Sequence, residues 1–263
     1  MILNIEKLNL EIDGEKLLRD IDFHMEKGEV VGLVGESGSG KTLTTKFILG
    51  ILPERSIIKY EKFEKNCKIG AVFQNAFISL NPTIKIGSQL KRLYESHYGT
   101  SENWKEKVVS LLEKVGIKEI EKFLKKYPHE TSGGERQRVV IAGALIGEPD
   151  LLIADEVTTA LDLRTKKEVI NLFKEIRKNL GISILFISHD LDSVRDFVDR
   201  VSVMYQGRIV EENSCEEIFQ HQEHIYVLDV EKSLHNYFLQ LFFLDTLHLL
   251  YLQNLSLNLN HEI

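Results

Sequence analysis

Between residues 30 and 42 the chain reads VVGLVGESGSGKT. Val30, Val31, Leu33 and Val34 form a short apolar run that reads as a strand buried in a parallel sheet. The stretch 43–52 then reads as a helix closed by Pro53, because proline disfavours helical backbone in the residue before it. The octet between them fits G-x-x-x-x-G-K-[ST] at every fixed position. Strand, glycine loop and helix in that order leave few folds open.

The chemistry follows from the geometry such a loop adopts. Its glycines let the backbone wrap a β-phosphate with N–H groups pointing inward. In that reading Gly35, Glu36, Ser37, Gly38, Ser39 and Gly40 cradle the phosphates. Lys41 reaches the β- and γ-phosphates, and the Thr42 hydroxyl ligates Mg²⁺.

The rest of the chain supplies the matching layers. Residues 1–34 look strand-rich, with turns at Asp13-Gly14 and Lys27-Gly28. Asn81-Pro82 opens a new segment, in which Trp104, Val108, Leu111, Leu112 and Val115 recur at helical spacing. Gly116 punctuates that helix, and a second short helix is expected to run to Tyr127-Pro128. This stretch, about 76–144, reads as a helical subdomain. A strand at 151–154, a helix from 164 to 180 with Val169, Ile170, Phe173 and Ile176 on one face, and strands at 182–187 and 201–205 complete an alternating α/β pattern.

Asp155 and Glu156 end the apolar LLIA strand, where ligands gather in open α/β sheets. Two adjacent carboxylates there are costly without a cation nearby. Such a pair is also common as a solvated acidic turn; placed after a phosphate loop, Asp155 is expected to hold Mg²⁺ through water, and Glu156 to polarise an attacking water as general base. A net charge of −7 argues against a general nucleic-acid-binding surface. Cys67 and Cys215 are far apart and in no CxxC spacing, so neither a zinc site nor a disulfide framework is indicated. The N-terminal MILNIEKLNLEI alternates and carries charge, more like a first strand than a signal peptide.

The run TSGGERQR at 131–138, followed by LLIADE at 151–156, resembles the signature block of ATP-binding-cassette (ABC) ATPases. The resemblance covers roughly residues 1–220, with the motifs in the family's order. It implies a P-loop NTPase (RecA-like) core with a mainly parallel sheet, an N-terminal antiparallel β part and an inserted α-helical subdomain. It also implies that ATP is the nucleotide, with Mg²⁺ as cofactor. Ser132, Gly133 and Gly134 would touch the γ-phosphate of ATP held by the opposite subunit, a contact suited to a helix N-terminus. His189 in FISHD matches the family's switch histidine. Gln74 in VFQN matches the glutamine placed to sense Mg²⁺ and the attacking water. Asp162 in TALD matches the aspartate that communicates across the dimer, and it is equally good chemistry as a helix N-cap.

Finer features narrow the branch. GESGSGKTLT, GILP at 50–53, FQN with SLNP, YPHETSGGERQR and VMYQGRIVEE are similar to the oligopeptide, dipeptide and nickel importers. The resemblance thus implies a peripheral ATPase subunit on the cytoplasmic face of the membrane. Its expected partners are a second ATPase subunit, two membrane permeases and an extracytoplasmic substrate-binding protein, with no nucleic acid. The rival class is a soluble ABC ATPase acting on nucleic acid or ribosomes; its zinc cysteines, coiled coils and tandem cassettes do not occur here. A phosphate-loop kinase would leave TSGGERQR and His189 unexplained. The chain departs from the family in having Ile12 and Asp13 where an aromatic residue stacks on adenine. It also has Val157 after the catalytic glutamate where proline is usual, and Glu135 where glutamine is common.

Residues 221–263 form an apolar tail that departs from the resemblance altogether. Its stretch 234–252 is apolar on nearly every side, yet Asp245 near its centre would cost about 2.5–3.5 kcal/mol in a membrane span. All the nucleotide motifs precede Gly207. Truncation after Gln220 is therefore expected to preserve ATP binding, measured by calorimetry on the purified chain. Loss of binding by a still-folded truncation would overturn this placement of the site.

Overall fold

The computed structural model describes residues 1–73, 79–100, 103–159, 161–191 and 194–220. Two sheets form it. In the first, β1 (Leu3–Ile12) is the centre, paired antiparallel with β2 (Glu15–Met25) on one side and with β4 (Ser56–Lys59) and β5 (Lys62–Lys65) on the other. Leu3, Ile5, Leu8 and Leu10 of β1 are all buried, although a strict period of two would turn the second pair to the opposite face. An extra residue at Lys7 (φ 52°) restores the phase, and Asp20 (φ 52°) does the same in β2. Side chains hold both bulges. Asp22 Oδ1 accepts from the Lys7 N–H at 2.9 Å, and Asn9 Oδ1 accepts from the Asp20 N–H at 3.3 Å.

The second sheet runs in the order β10–β9–β3–β8–β7–β6, comprising β10 (Arg208–Ser214), β9 (Arg200–Tyr205), β3 (Val30–Gly35), β8 (Ser183–Ser188), β7 (Leu151–Asp155) and β6 (Ile69–Val72). All pairings are parallel except β10 with β9. In α1 (Lys41–Leu49), Phe47 and Ile48 pack into one core with Leu33, Ile153 and Leu185 of this sheet and Leu3, Ile5, Leu8 and Phe23 of the first. The opposite face is covered by α6 (Leu163–Leu180), where Phe173 meets Phe186 edge-on at 5.6 Å.

The helix expected over 43–52 instead spans Lys41–Leu49. Gly50 (φ 72°) ends it in the left-handed region, its N–H returning to the carbonyls of Lys46 and Phe47. Glycine thus stops the helix before Pro53 can. A helix not foreseen from the sequence, α2 (Ile86–Tyr98), precedes α3 (Trp104–Lys114). Val108, Leu111, Leu112 and Val115 are buried, as their spacing implies. The next helix is a single turn, α4 (Ile120–Phe123), shorter than expected, and a 3₁₀ turn (Pro128–Glu130) leads into α5 (Gly133–Leu145). After β10, α7 (Cys215–Gln220) closes the described chain.

The turn between β9 and β10 touches the loop after β3. Gly207 donates its N–H to Ser39 O at 2.9 Å and accepts from the Arg19 N–H at 2.8 Å. Its φ is 76°, and an added Cβ would lie 2.3 Å from Leu17 O. Gly207→Ala is therefore expected to destabilise the fold by more than about 1 kcal/mol, read as a lower urea midpoint. An unchanged midpoint would contradict this packing.

Candidate nucleotide site

Parallel register sets the site. Asp155 of β7 lies opposite Ile187 of β8, Ser188 lies opposite Val34 of β3, and Gly35 lies opposite Met204 of β9. The residues that leave these strands, Glu156, His189 and the loop 35–42, therefore emerge along one carboxyl edge. The loop must start with glycine. A Cβ on Gly35 would sit 2.1 Å from Met204 O and 2.8 Å from Ser39 Oγ. Gly38 (φ 83°) and Gly40 (φ 111°) adopt backbone that other residues rarely take.

Within this loop Glu36, Ser37 and Gly38 are exposed, while Ser39 and Lys41 are buried. Lys41 Nζ donates to the carbonyls of Gly35 (2.7 Å) and Glu36 (2.8 Å). Burial pulls its pKa down, opposed by the charges of Glu156, Asp155 and Glu36. Thr42 stands exposed in the first turn of α1. Asp155 is 5% exposed, and among the described residues its Oδ1 has no hydrogen-bond partner. Burial, with the neighbouring Glu156 charge, pushes its carboxyl up to about 6. Ser39 Oγ is likewise buried and unpartnered.

Those two orphaned oxygens fit a ligand that brings both phosphate and a hard cation. Among the described residues no group of three or more His, Cys, Asp or Glu could hold a metal unaided. The Asp155 carboxylate and the exposed Thr42 hydroxyl suit Mg²⁺, which binds through few protein ligands together with substrate phosphates.

Glu156 is half-buried at φ 50°, its N–H bonded to Ile187 O at 3.1 Å and its Oε2 accepting from Thr159 Oγ1 at 3.4 Å. A left-handed glutamate is strained backbone, the kind that surrounding structure must hold in place. His189 is exposed just after β8. The next residue, Asp190, is an ion pair with Lys166 of α6. Asp162 is the N-cap of α6, its carboxylate accepting from the N–H groups of Arg164 and Thr165, both at 3.0 Å, and from Thr165 Oγ1 at 2.6 Å. These hydrogen bonds hold its pKa below the usual carboxylate value. Gln74 lies outside the described residues.

Ser132 caps α5. Its Oγ accepts from the Glu135 N–H at 3.2 Å while Glu135 Oε2 accepts from the Ser132 N–H at 2.8 Å. Glutamate at 135 thus has a local task, and its pKa is lowered by the Ser132 backbone bond. Arg136 holds the approach, donating to the carbonyls of Pro128 (2.9 Å) and Thr131 (2.7 Å). An added Cβ at Gly134 meets nothing within 4 Å among the described residues, which leave this helix start open. At the turn where an adenine platform would stand, Ile12 is half-buried and Asp13 (φ 51°) pairs with Arg55 at 3.6 Å. Sequence reasoning missed one buried contact. The amide of Gln137 donates to Val157 O at 2.5 Å, and no spacing distinguishes that glutamine from any other helical residue.

A family profile described as ABC transporter matches residues 18–159. The oligopeptide transport ATP-binding protein OppD of Bacillus subtilis (strain 168) is 44% identical over 236 residues, covering 82% of this chain and 66% of that protein. The dipeptide transport ATP-binding protein DppD of Lactococcus lactis subsp. cremoris (strain MG1363) is 39% identical over 238 residues, covering 83% of this chain and 68% of its own. The chain thus spans about two thirds of the length of these curated relatives. Among solved structures, cbiO1 from Clostridium perfringens, part of the ABC transporter complex cbiONQ, superposes with a TM-score of 0.71 at 30% identity, covering 84% of this chain and 92% of that one.

The buried aspartate makes a pH prediction. The folded pKa of about 6 lies above the ordinary 3.8, so between those values the folded chain holds more protons than the unfolded one. Stability from this group is full below about pH 4 and is lost as pH rises through 6. Asp155→Asn is therefore expected to stabilise the nucleotide-free chain at pH 7.5 by roughly 2–3 kcal/mol, a gain that shrinks as pH falls from 6 toward 4. Equal urea midpoints for the two proteins at pH 7.5 would contradict the burial argument.

Proposed function

The chain belongs to the ABC transporter family, and on that premise we propose that it is the ATP-binding, ATP-hydrolysing subunit that powers peptide import. The observation that carries this reading is a divided site. Buried Lys41 and Asp155 lie at one strand edge with the phosphate loop, while the Ser132-Gly133-Gly134 turn is an open helix start. The transport names of the relatives supply the cargo class. Nickel or metal chelates are the second reading, because the compact stretch of sequence between Pro53 and Gln74, with GILP near its start, is somewhat more similar to the nickel and metallophore members. The nucleic-acid alternative has no such support.

In this reading the loop N–H groups from Gly35 to Gly40 bind the phosphates, and Lys41 exchanges two carbonyl partners for phosphate oxygens. Thr42 and Asp155 would hold Mg²⁺, with Gln74 beside it, and the ion would neutralise phosphate charge there. Glu156 takes the proton of the attacking water. His189 orients that water, held by the Asp190–Lys166 pair at its neighbour. Ser132, Gly133 and Gly134 bind the γ-phosphate of nucleotide on a second ATPase subunit. Asp162, at the head of α6, faces that subunit. Two membrane permeases and an extracytoplasmic substrate-binding protein complete the assembly, with this chain at the cytoplasmic face. Among the described residues no helix is long and apolar enough to cross a membrane.

Two substitutions test the division. Glu156→Gln is expected to keep ATP binding and to lose hydrolysis by about 10²-fold or more, the cost of removing a general base. Near-normal turnover would remove Glu156 from that role. Gly134→Asp has room for its side chain, so the isolated chain should bind ATP as before while hydrolysis in the assembled transporter collapses. If the lone chain lost ATP binding instead, the signature would be serving its own nucleotide.

A further inference from the structure

Gln137 sits one turn inside α5, about 6 Å along the axis from Gly133. It is 6% exposed, and its amide donates to Val157 O, itself part of a residue 4% exposed. Val157 directly follows Glu156. The same short segment is fixed on its other side by the bonds from Glu156 N–H to Ile187 O and from Thr159 N–H to Glu156 O, both at 3.1 Å. A buried carbonyl needs some donor, and water or a backbone N–H would serve as well. The amide differs because it belongs to a stiff helix whose first residues form the open Ser132-Gly133-Gly134 turn.

Two groups with different duties are therefore joined through one helical turn and one hydrogen bond. The turn at 132–134 serves the nucleotide of the second subunit, and Glu156 serves the nucleotide of its own chain. We propose that Gln137 is a positioning residue that couples them, setting the Glu156 segment when the signature turn engages the partner's phosphate. This rests on the divided-site reading above. Displacement of the helix start moves Gln137 with it, and the 2.5 Å bond passes that movement to the Val157 carbonyl. Glu156, already in strained left-handed backbone at φ 50°, is poised for such a shift. Each chain's base would then be set only when the other chain's nucleotide is present, which makes hydrolysis at the two sites cooperative.

The test uses the assembled transporter and two variants of similar size, Gln137→Met and Gln137→Leu, neither of which has a hydrogen to donate to a carbonyl. Both should leave ATP affinity of the isolated chain unchanged. In the assembly kcat should fall about 3- to 30-fold, the span typical of site coupling, with KM little altered and the Hill coefficient for ATP dropping toward 1. Gln137→His, which retains a donor, should restore part of the cooperativity. A kcat loss with the Hill coefficient unchanged in both variants would mean a purely structural amide and would overturn the proposal, as would wild-type kinetics. Gly134→Asp run alongside separates the two levels. If it retains turnover in the assembly, the divided-site reading itself fails; if it is inactive there while Gln137→Met stays cooperative, only the coupling fails.

Discussion

Lys41 and Asp155 are both at least nine-tenths buried at the carboxyl edge of a parallel sheet, and among the described residues neither has a charged partner at bonding distance. Burial lowers the pKa of one and raises that of the other. A fold accepts that cost where a ligand carrying both signs of charge relieves it. Much of the surrounding structure can be read as holding this pair in place. Gly35 lets the loop pass against Met204 O, Gly207 closes over Ser39, and α1 begins at Lys41 itself so that its N-terminal N–H groups face the same point.

The antiparallel sheet supports this arrangement from one side. Its bulges at Lys7 and Asp20 keep Leu3, Ile5, Leu8, Leu10, Ile21 and Phe23 on one face, against α1 and the floor of the parallel sheet. Aromatic packing of Phe173, Phe186 and Phe197 secures the other face, beneath α6. Helix α6 in turn carries Asp162 at its head and Lys166 against Asp190, so the segment bearing His189 is anchored to the element that starts with Asp162. The signature turn is the exception. It is locally complete through its Ser132–Glu135 capping box, yet its outer side is open.

Much of this was legible in the sequence where chemistry leaves little choice. No other residue type fits at Gly35, and an apolar run of four residues before such a loop has one use. The Asp155-Glu156 pair after LLIA and the helical period from Val108 to Val115 are read as directly. Other parts were hidden for physical reasons. β4 and β5 are four-residue elements that take their pairing from β1, and neither SIIK nor KFEK is long enough to show an apolar alternation. Helix α1 stops at Gly50, where left-handed capping acts before the downstream proline can. The Gln137 contact depends on where α5 lies against the Val157 carbonyl, which is tertiary information. Gln74 and the tail 221–263 lie outside the described residues.

The central claim is that this chain's signature turn serves nucleotide held by another subunit. Photolabelling tests it most directly. The transporter is assembled with Lys41→Ala in this chain, so that ATP bearing a photoreactive group on its γ-phosphate is retained only by the second subunit. Irradiation followed by peptide mass analysis is predicted to place the label on the segment of this chain containing Ser132, Gly133 and Gly134. Label confined to the second subunit, with none on that segment, would contradict the account.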